Sequence, residues 1–405
     1  MADVILLPIL IPITAGLVIL ALPAKMRWVR ETITIIATSL ILFISLTFFK
    51  SEIVYIASWA FSGIEFALRL YRFSCLIITA AALFGFLTAI YSAAFLADKP
   101  YAKLFYAFLL FMIGFVSGAV LSDHLVTLLF FWEASLLALV GMIYVGKKDA
   151  FMTAIKAFII LGVSDLIMMV GIAIFWKLSG TLNISGARLQ ASGLGAASFV
   201  FLITGALAKS GAMPFHSWIP DARLHAPLTF MALVPAAFEK LLGIYFLTRV
   251  TMDMFRLEPG SCMSYALMTV GAITIILAVM MALIQKDYKR LLSYHAISQV
   301  GYMILGIGTL VPAGIVGGLF HMINNAMYKS CLFMTGGAVE RQAGTTDLEK
   351  LGGLGARMPV TFACFIITAL SISGVPPFNG FFSKEMIYEG ALEKGWIFYA
   401  SAAAG

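Results

Sequence analysis

LAKSGAMPFHSW (207–218) and SISGVPPFNGFFSK (371–384) decide how this chain is read. Each interrupts a long apolar run with the same core: Ser210-Gly211-x-x-Pro214-Phe215 in the first, and Ser373-Gly374-x-x-Pro377-Phe378, with Pro376 adjoining, in the second. Proline removes a backbone donor and glycine loosens the turn, so both helices are expected to break partway along. Within a bilayer, broken backbone survives only against protein or a water-filled cavity. The breaks fall in the seventh and twelfth predicted helices, hence in opposite orientation, which is the signature of an inverted repeat with its binding groups at the repeat interface. Chance likeness of two proline-kinked helices is the plainer alternative, because Gly and Pro are frequent in membrane helices.

Outward from these breaks the sequence is a series of apolar runs. The 405 residues are 61% hydrophobic and 12% charged, with a mean hydropathy of +1.00. That composition specifies a polytopic helical membrane protein. The runs predict helices at about 4–23, 31–49, 73–96, 103–121, 124–145, 151–176, 196–213, 227–248, 263–285, 291–311, 313–338 and 359–382. A further helix begins near Trp396 and meets the end of the sequence at Gly405 without a polar flank, so the chain is expected to be cut off within a span. The first run lacks the basic flank of a signal peptide and is read as a retained helix. Residues 50–72 alternate weakly and carry Gly63, Glu65 and Arg69, which predicts an interfacial strand or hairpin.

The net charge of +7 does not indicate nucleic acid, because the basic residues are spread singly through short connectors. Connectors on one side, with Lys25, Arg27, Lys99, Lys147, Lys148 and Arg290 among their charges, hold twice the Lys and Arg of the other side. The positive-inside rule puts that side in the cytoplasm and the N-terminus outside. Cys75, Cys262, Cys331 and Cys364 have no CxxC or CxH spacing, so they form no metal, iron–sulfur or disulfide framework.

Against this background a few charges stand out. Glu133, Lys209, Lys240 and Lys329 lie deep in apolar runs, where each costs roughly 3 kcal/mol unless it faces another charge or water. Lys209 precedes the first break and is the natural partner for Glu133. Glu239 and Lys240 are adjacent and point about 100° apart, so one can face the interior and the other a neighbouring subunit. His321, Asn325 and Lys329 recur at i, i+4, i+8 and form one polar stripe on a helix. Imidazole both gives and takes a proton, an amide holds water, and an amine taken out of water releases its proton more readily, which together describe a proton relay. Interhelical hydrogen bonding, worth about 0.6 kcal/mol on average, is the alternative, with more weight for Asn325 than for Lys329. Lys156 is shallow enough to snorkel, whereas Asp165 either pairs or lines a cavity. His295 reads as interfacial. His216 and His225 follow the first break and serve either as an entry to the relay or as capping and headgroup contacts. Lys384 is either the last relay site or an interfacial lysine.

These residues carry a resemblance. ALAKSGAMPFHSWIPDA (206–222), QKDYKRLLSY (285–294) with SQVGY (298–302), FHMINNAMYK (320–329) and SGVPPFNGFFSK (373–384) resemble the proton-translocating, antiporter-like subunits of respiratory complex I, Mrp cation/proton antiporters and membrane-bound hydrogenases. The wording around both breaks is most similar to the hydrogenase-type and Mrp-type branches. The resemblance implies an all-α antiporter-like fold with N-terminal helices in 1–102, helices 4–8 in 103–250 and helices 9–13 in 251–405 as inverted halves, the second incomplete. It implies a relay of Glu133, Lys209, Lys240, His321, Lys329 and Lys384. Many relatives place a histidine where Asn325 stands, leaving a gap for water to bridge.

The expected mechanism brings a proton to the helix 7 region, where a change in the Glu133–Lys209 pair alters the hold of Lys209 on its proton. Unit charges near 4 Å attract by about 4 kcal/mol at an effective dielectric of 20, enough to switch proton occupancy. The proton then passes Lys240 and His321 to Lys329 and Lys384. Two parent assemblies follow from the resemblance: a redox-driven pump of the hydrogenase or NADH dehydrogenase type, or a secondary antiporter exchanging sodium or potassium for protons. No flavin, iron–sulfur, nickel–iron or other redox group is expected on this chain; such centres belong to partner subunits. Further membrane subunits, including other antiporter-like ones, are the expected partners, in a prokaryotic plasma membrane.

Overall fold

A computed structural model describes residues 2–23, 25–59, 64–146 and 149–405. Gly63, Lys147 and Lys148, which entered the hairpin and charge readings, lie outside the described residues. The chain divides into two compact units. The first comprises Met1–Thr204, His225–Thr229 and Asp253–Phe255; the second comprises Gly205–Leu224, Phe230–Met252 and Arg256–Gly405.

In the first unit a 3-10 turn (Ala2–Leu6) leads into α1 (Leu7–Ala21), followed by α2 (Arg27–Thr47). Strands β1 (Ile53–Trp59) and β2 (Ile64–Leu70) form an antiparallel hairpin in which Ile53 pairs with Leu70 and Tyr55 with Leu68. The weak alternation of 50–72 is therefore that of a hairpin. Its aromatic side chains are anchored below: Phe66 lies 5.5 Å from Trp59 and 6.1 Å from Phe131, ring centre to ring centre. Then come α3 (Arg72–Phe95), α4 (Ala102–Leu121), α5 (Leu125–Tyr144), α6 (Ala150–Ser179) and α7 (Leu194–Ser210), the last of which continues into the second unit.

The second unit holds the two breaks. After α7 come α8 (Trp218–His225), α9 (Leu228–Leu233), a π turn (Val234–Phe238), α10 (Glu239–Arg249) and a second π turn (Val250–Met254). The eighth predicted helix is thus interrupted where Pro235 removes a backbone donor. α11 (Cys262–Leu283), α12 (Tyr288–Gly308) and α13 (Pro312–Ala343) follow. A short α14 (Leu354–Arg357) then precedes α15 (Pro359–Ser373), α16 (Asn379–Leu392) and α17 (Trp396–Ala403). The twelfth predicted helix is two helices, α15 and α16.

Backbone contact sets the spacing of α11 and α12. A β-carbon at Gly301 would lie 2.6 Å from the Gly271 carbonyl oxygen, and one at Gly271 would lie 2.8 Å from that of Gly301. Small residues that let two helices touch are how helices associate in lipid, where hydrophobic transfer gives no drive.

Among the described residues nine helical segments are long and apolar enough to cross a membrane. α12 and α13, with 21 and 32 residues, are long enough but carry the polar side chains that lower their hydropathy. The protein is a multi-pass, all-α membrane protein.

Candidate functional site

The two breaks have one local structure. α7 ends as the N–H of Ala212 donates to the Leu207 carbonyl (2.9 Å) and that of Gly211 to the Ala208 carbonyl (3.0 Å). α15 ends the same way: Val375 donates to Leu370 (3.1 Å) and Gly374 to Ser371 (3.0 Å). Both are Schellman caps, which require a left-handed residue at the turn. Gly211 and Gly374 supply it, with φ of 81° and 75°. Pro214 and Pro377, each preceded by a cis peptide bond, then prevent the helix from resuming at once. In the second break, Asn379 Nδ2 donates to Asn324 Oδ1 (2.8 Å), Asn324 Nδ2 donates to the Asn379 carbonyl (3.0 Å), and Ser371 bonds Asn379 Oδ1.

A lysine lies against each cap. A β-carbon at Gly211 would sit 3.6 Å from Lys240 Nζ, and one at Gly374 would sit 3.2 Å from Lys384 Cδ. Lys209, wholly buried, occupies the last turn of α7, where the negative end of the helix dipole favours a cation. Lys384 is nearly buried, and its ammonium stands 4.8 Å from the Tyr302 ring centre, within cation–π range.

α13 carries the remaining polar groups and closes the π turn. Asn325 Nδ2 donates to the Ala236 carbonyl (3.2 Å) and Ser330 Oγ to the Ala232 carbonyl (2.7 Å). These two side chains bond carbonyls on either side of Pro235. Lys329, between them on the same helix, is fully buried and donates to the Leu292 carbonyl at 3.2 Å. Lys240 Nζ has no hydrogen-bond partner among the described residues.

One turn and more away, His321 joins a buried network. Its Nε2 lies 2.9 Å from Gln299 Oε1 and its Nδ1 2.9 Å from Ser383 Oγ. Tyr328 donates to the same Gln299 oxygen at 3.1 Å. Gln299 Nε2 donates to Ser298 Oγ (3.2 Å), which donates in turn to the His295 carbonyl (3.0 Å). That order makes the Gln299 oxygen an acceptor and assigns the ring proton of neutral His321 to Nε2, leaving Nδ1 to accept from Ser383. Ser383 precedes Lys384, so the imidazole is linked by one hydroxyl to the residue beside the second amine.

The charges act on one another along this file. The field of Glu239 reaches Lys240, that of Lys240 reaches Lys329, those of Lys329 and Lys384 reach His295, and that of Lys384 reaches His321. Lys329, rather than His321, is therefore the electrostatic neighbour of Lys240 on α13. His295, read as interfacial, is half-buried within reach of two of the lysines. Glu239 and Lys240 are both fully buried, so neither is turned outward as the sequence reading allowed.

Glu133 is half-buried on α5 of the first unit, as is Lys156 on α6. Asp165 does pair: its Oδ1 accepts from Trp132 Nε1 at 2.8 Å. His225 Nδ1 is 2.8 Å from Thr153 Oγ1, a local contact of the first unit, and His216 is half-buried in the 3-10 turn Phe215–Ser217. Sequence reading missed Gln299, Tyr328, Tyr302, Ser383 and the Asn324–Asn379 pair as functional groups. The available signal was the polar face of α12, where His295, Ser298, Gln299 and Tyr302 recur at i, i+3, i+4 and i+7.

A multi-pass helical membrane protein with two interrupted helices and buried amines at both interruptions defines an antiporter-like membrane subunit. Residues 122–405 match the family described as NADH:quinone oxidoreductase/Mrp antiporter, TM, and the chain belongs to that family. It is 30% identical over 418 residues to the D subunit of the Na(+)/H(+) antiporter of Alkalihalophilus pseudofirmus, covering 100% of this chain and 84% of that protein. It is 34% identical over 345 residues to the L subunit of the NADH-quinone oxidoreductase of Mycobacterium tuberculosis, covering 82% of this chain but only 53%, about half, of that relative. Among solved structures, a chain of the Mrp complex from Dietzia sp. superposes with a TM-score of 0.90 at 23% identity, over 100% of this chain and 77% of that one. That likeness establishes the shared fold.

Proposed function

We propose that this chain moves protons across the membrane along Lys209, Lys240, Lys329, Lys384 and His321, with His295 an accessory site and Glu133 modulating the entry. The observation that carries the reading is the run of buried groups from Lys240 at the Gly211 cap, through Lys329, to Lys384 at the Gly374 cap, with His295 acted on by both Lys329 and Lys384 and His321 bonded to Ser383 beside Lys384. Buried amines acting on one another in this way exchange protons in sequence, since protonating one disfavours protonation of the next. The two Schellman breaks support the proposed inverted halves, 103–250 and 251–405, and open backbone beside Lys240 and Lys384 supports access for water there.

The coupled machine is proposed to be a redox-driven complex of the hydrogenase or NADH:quinone oxidoreductase type, with other membrane subunits as partners in a prokaryotic plasma membrane, N-terminus outside. A second reading is an Mrp-type antiporter subunit exchanging sodium for protons; the full-length match of this chain to the D subunit of an Na(+)/H(+) antiporter favours it. Lys329→Ala in the assembled complex tests the relay: proton movement into inverted membrane vesicles, read with a pH-sensitive dye, should be lost while the complex still assembles. Wild-type proton movement by that variant would remove the relay. Driving the vesicles with a reductant in one arm and a sodium gradient in the other separates the two parent assemblies.

A further inference from the structure

We infer that the cleft between the C-terminal half of α13 and the first turns of α15 holds one acyl chain of an anionic phospholipid, with the phosphate at Arg357 and Lys350. Two cavities meet there. One, of about 230 Å³, is walled by Tyr288, Gly336, Val339, Phe362 and Phe365. The other, of about 610 Å³, is bordered by Gln342, Lys350 and Arg357. Leu351, Leu354 and Met358 line both, so the apolar chamber and the polar mouth are continuous.

The arrangement is that of an amphiphile. Gln342 and Ala343 end α13, and Arg357 stands two residues before the start of α15, so the mouth is at the level where these helices end. The apolar chamber follows the first two turns of α15. Of its two threonines, Thr335 is already bonded to the Cys331 carbonyl of its own helix, and the rest of the named wall is almost wholly apolar. Charge at the mouth is cationic where it counts. Glu340 and Glu349 are engaged by Lys289 (2.6 Å) and Lys286 (2.7 Å), and Lys350 is held only loosely by Asp347 at 3.4 Å. Arg357 is exposed and has no ion pair among the described residues. A guanidinium is a planar fork that matches phosphate oxygens, and basic clefts between membrane helices at the headgroup level suit anionic lipid.

Native mass spectrometry of the purified protein, kept in its complex where partners co-purify, tests this with phosphatidylglycerol, phosphatidylcholine and inorganic phosphate as probes. Phosphatidylglycerol should be retained in preference to phosphatidylcholine, and Arg357→Gln should weaken its retention about fivefold, the effect of one basic group at a lipid surface. Thr361→Trp, which fills the chamber, should reduce both lipids; Val339→Phe narrows the same space if that variant does not assemble. The inference falls if retention is unchanged in the charge and chamber variants, if phosphatidylcholine competes equally, or if inorganic phosphate alone displaces the lipid. It falls equally if a photo-cross-linker at Phe362 captures a partner subunit in the complex while no lipid is retained.

Discussion

Replacing Gln299 with leucine, a side chain of similar volume, isolates what its carbonyl oxygen does. In the native protein that oxygen faces His321 Nε2 at 2.9 Å and accepts from Tyr328 at 3.1 Å, and all three residues are buried. A buried polar group left unpartnered costs roughly 1–3 kcal/mol, so two orphans would cost about twice that. The cost should be nearer the single value, because Tyr328 Oη and His321 Nε2 are only 3.3 Å apart. The tyrosine can donate to the ring if the imidazole changes tautomer and Nδ1–H donates to Ser383 instead, at the existing 2.9 Å. Gln299→Leu should therefore destabilise by about 1–3 kcal/mol and move the ring proton. Tyr328→Phe alone should cost about 1 kcal/mol, since the Gln299 oxygen keeps its contact with the imidazole. Combined, the two changes should fall short of their sum by more than the roughly 0.5 kcal/mol seen for independent sites. Thermal unfolding of wild type, both single variants and the double variant in one detergent gives the coupling. Nitrogen NMR of labelled histidine reports the tautomer directly. Additive losses, or a wild-type ring protonated at Nδ1, would refute the shared-acceptor arrangement.

Gly301→Ala puts a methyl 2.6 Å from the Gly271 carbonyl oxygen and should cost about 1–3 kcal/mol, read as a lowered Tm, despite the better helix propensity of alanine. Asn325→Leu removes the donor to the Ala236 carbonyl; a loss of about 1–3 kcal/mol is expected, and faster deuterium exchange in 234–240 should localise it. His124, just outside the α5 span, caps that helix by accepting from the Val126 N–H at 3.3 Å, which needs an unprotonated Nδ1. Burial pushes its pKa down, against the opposing pull of Glu65 and Asp123. The unfolded chain therefore binds the proton more readily, so this contribution to stability is complete above about pH 6.5 and is lost as pH falls toward the folded value. Asn, a cap without a titrating ring, should flatten that part of the pH–Tm curve in His124→Asn; an unchanged slope would exclude the capping histidine as its cause.

Much of the site was legible because a few residues admit few interpretations. Gly211 with Pro214, and Gly374 with Pro377, can only end a helix, and both do. His321, Asn325 and Lys329 are spaced to share a helical face, so their common stripe follows from periodicity alone. Gln299 was not legible in the same way: its partners His321 and Tyr328 are 22 and 29 residues away and arrive through the packing of α12 on α13, which no local pattern specifies. The burial of both Glu239 and Lys240 was hidden for a related reason. A regular helix separates adjacent side chains by about 100°, and only the enclosure of α10 on all sides buries both directions.

The two π turns that bracket α10 make that helix a rotor with a set angle. Each wide turn accommodates one extra residue, which advances everything beyond it by about 100° around the axis without interrupting the helical path. Deleting a single residue from 234–238 would leave an equally long apolar span that still inserts, yet would swing Lys240 away from Gly211 and bring a different side chain to the cap. The azimuth of the amine is thus stored in a count of residues, and the same count sets Gly243 against the backbone of α7, so one deleted codon would displace the amine and the packing of α10 together.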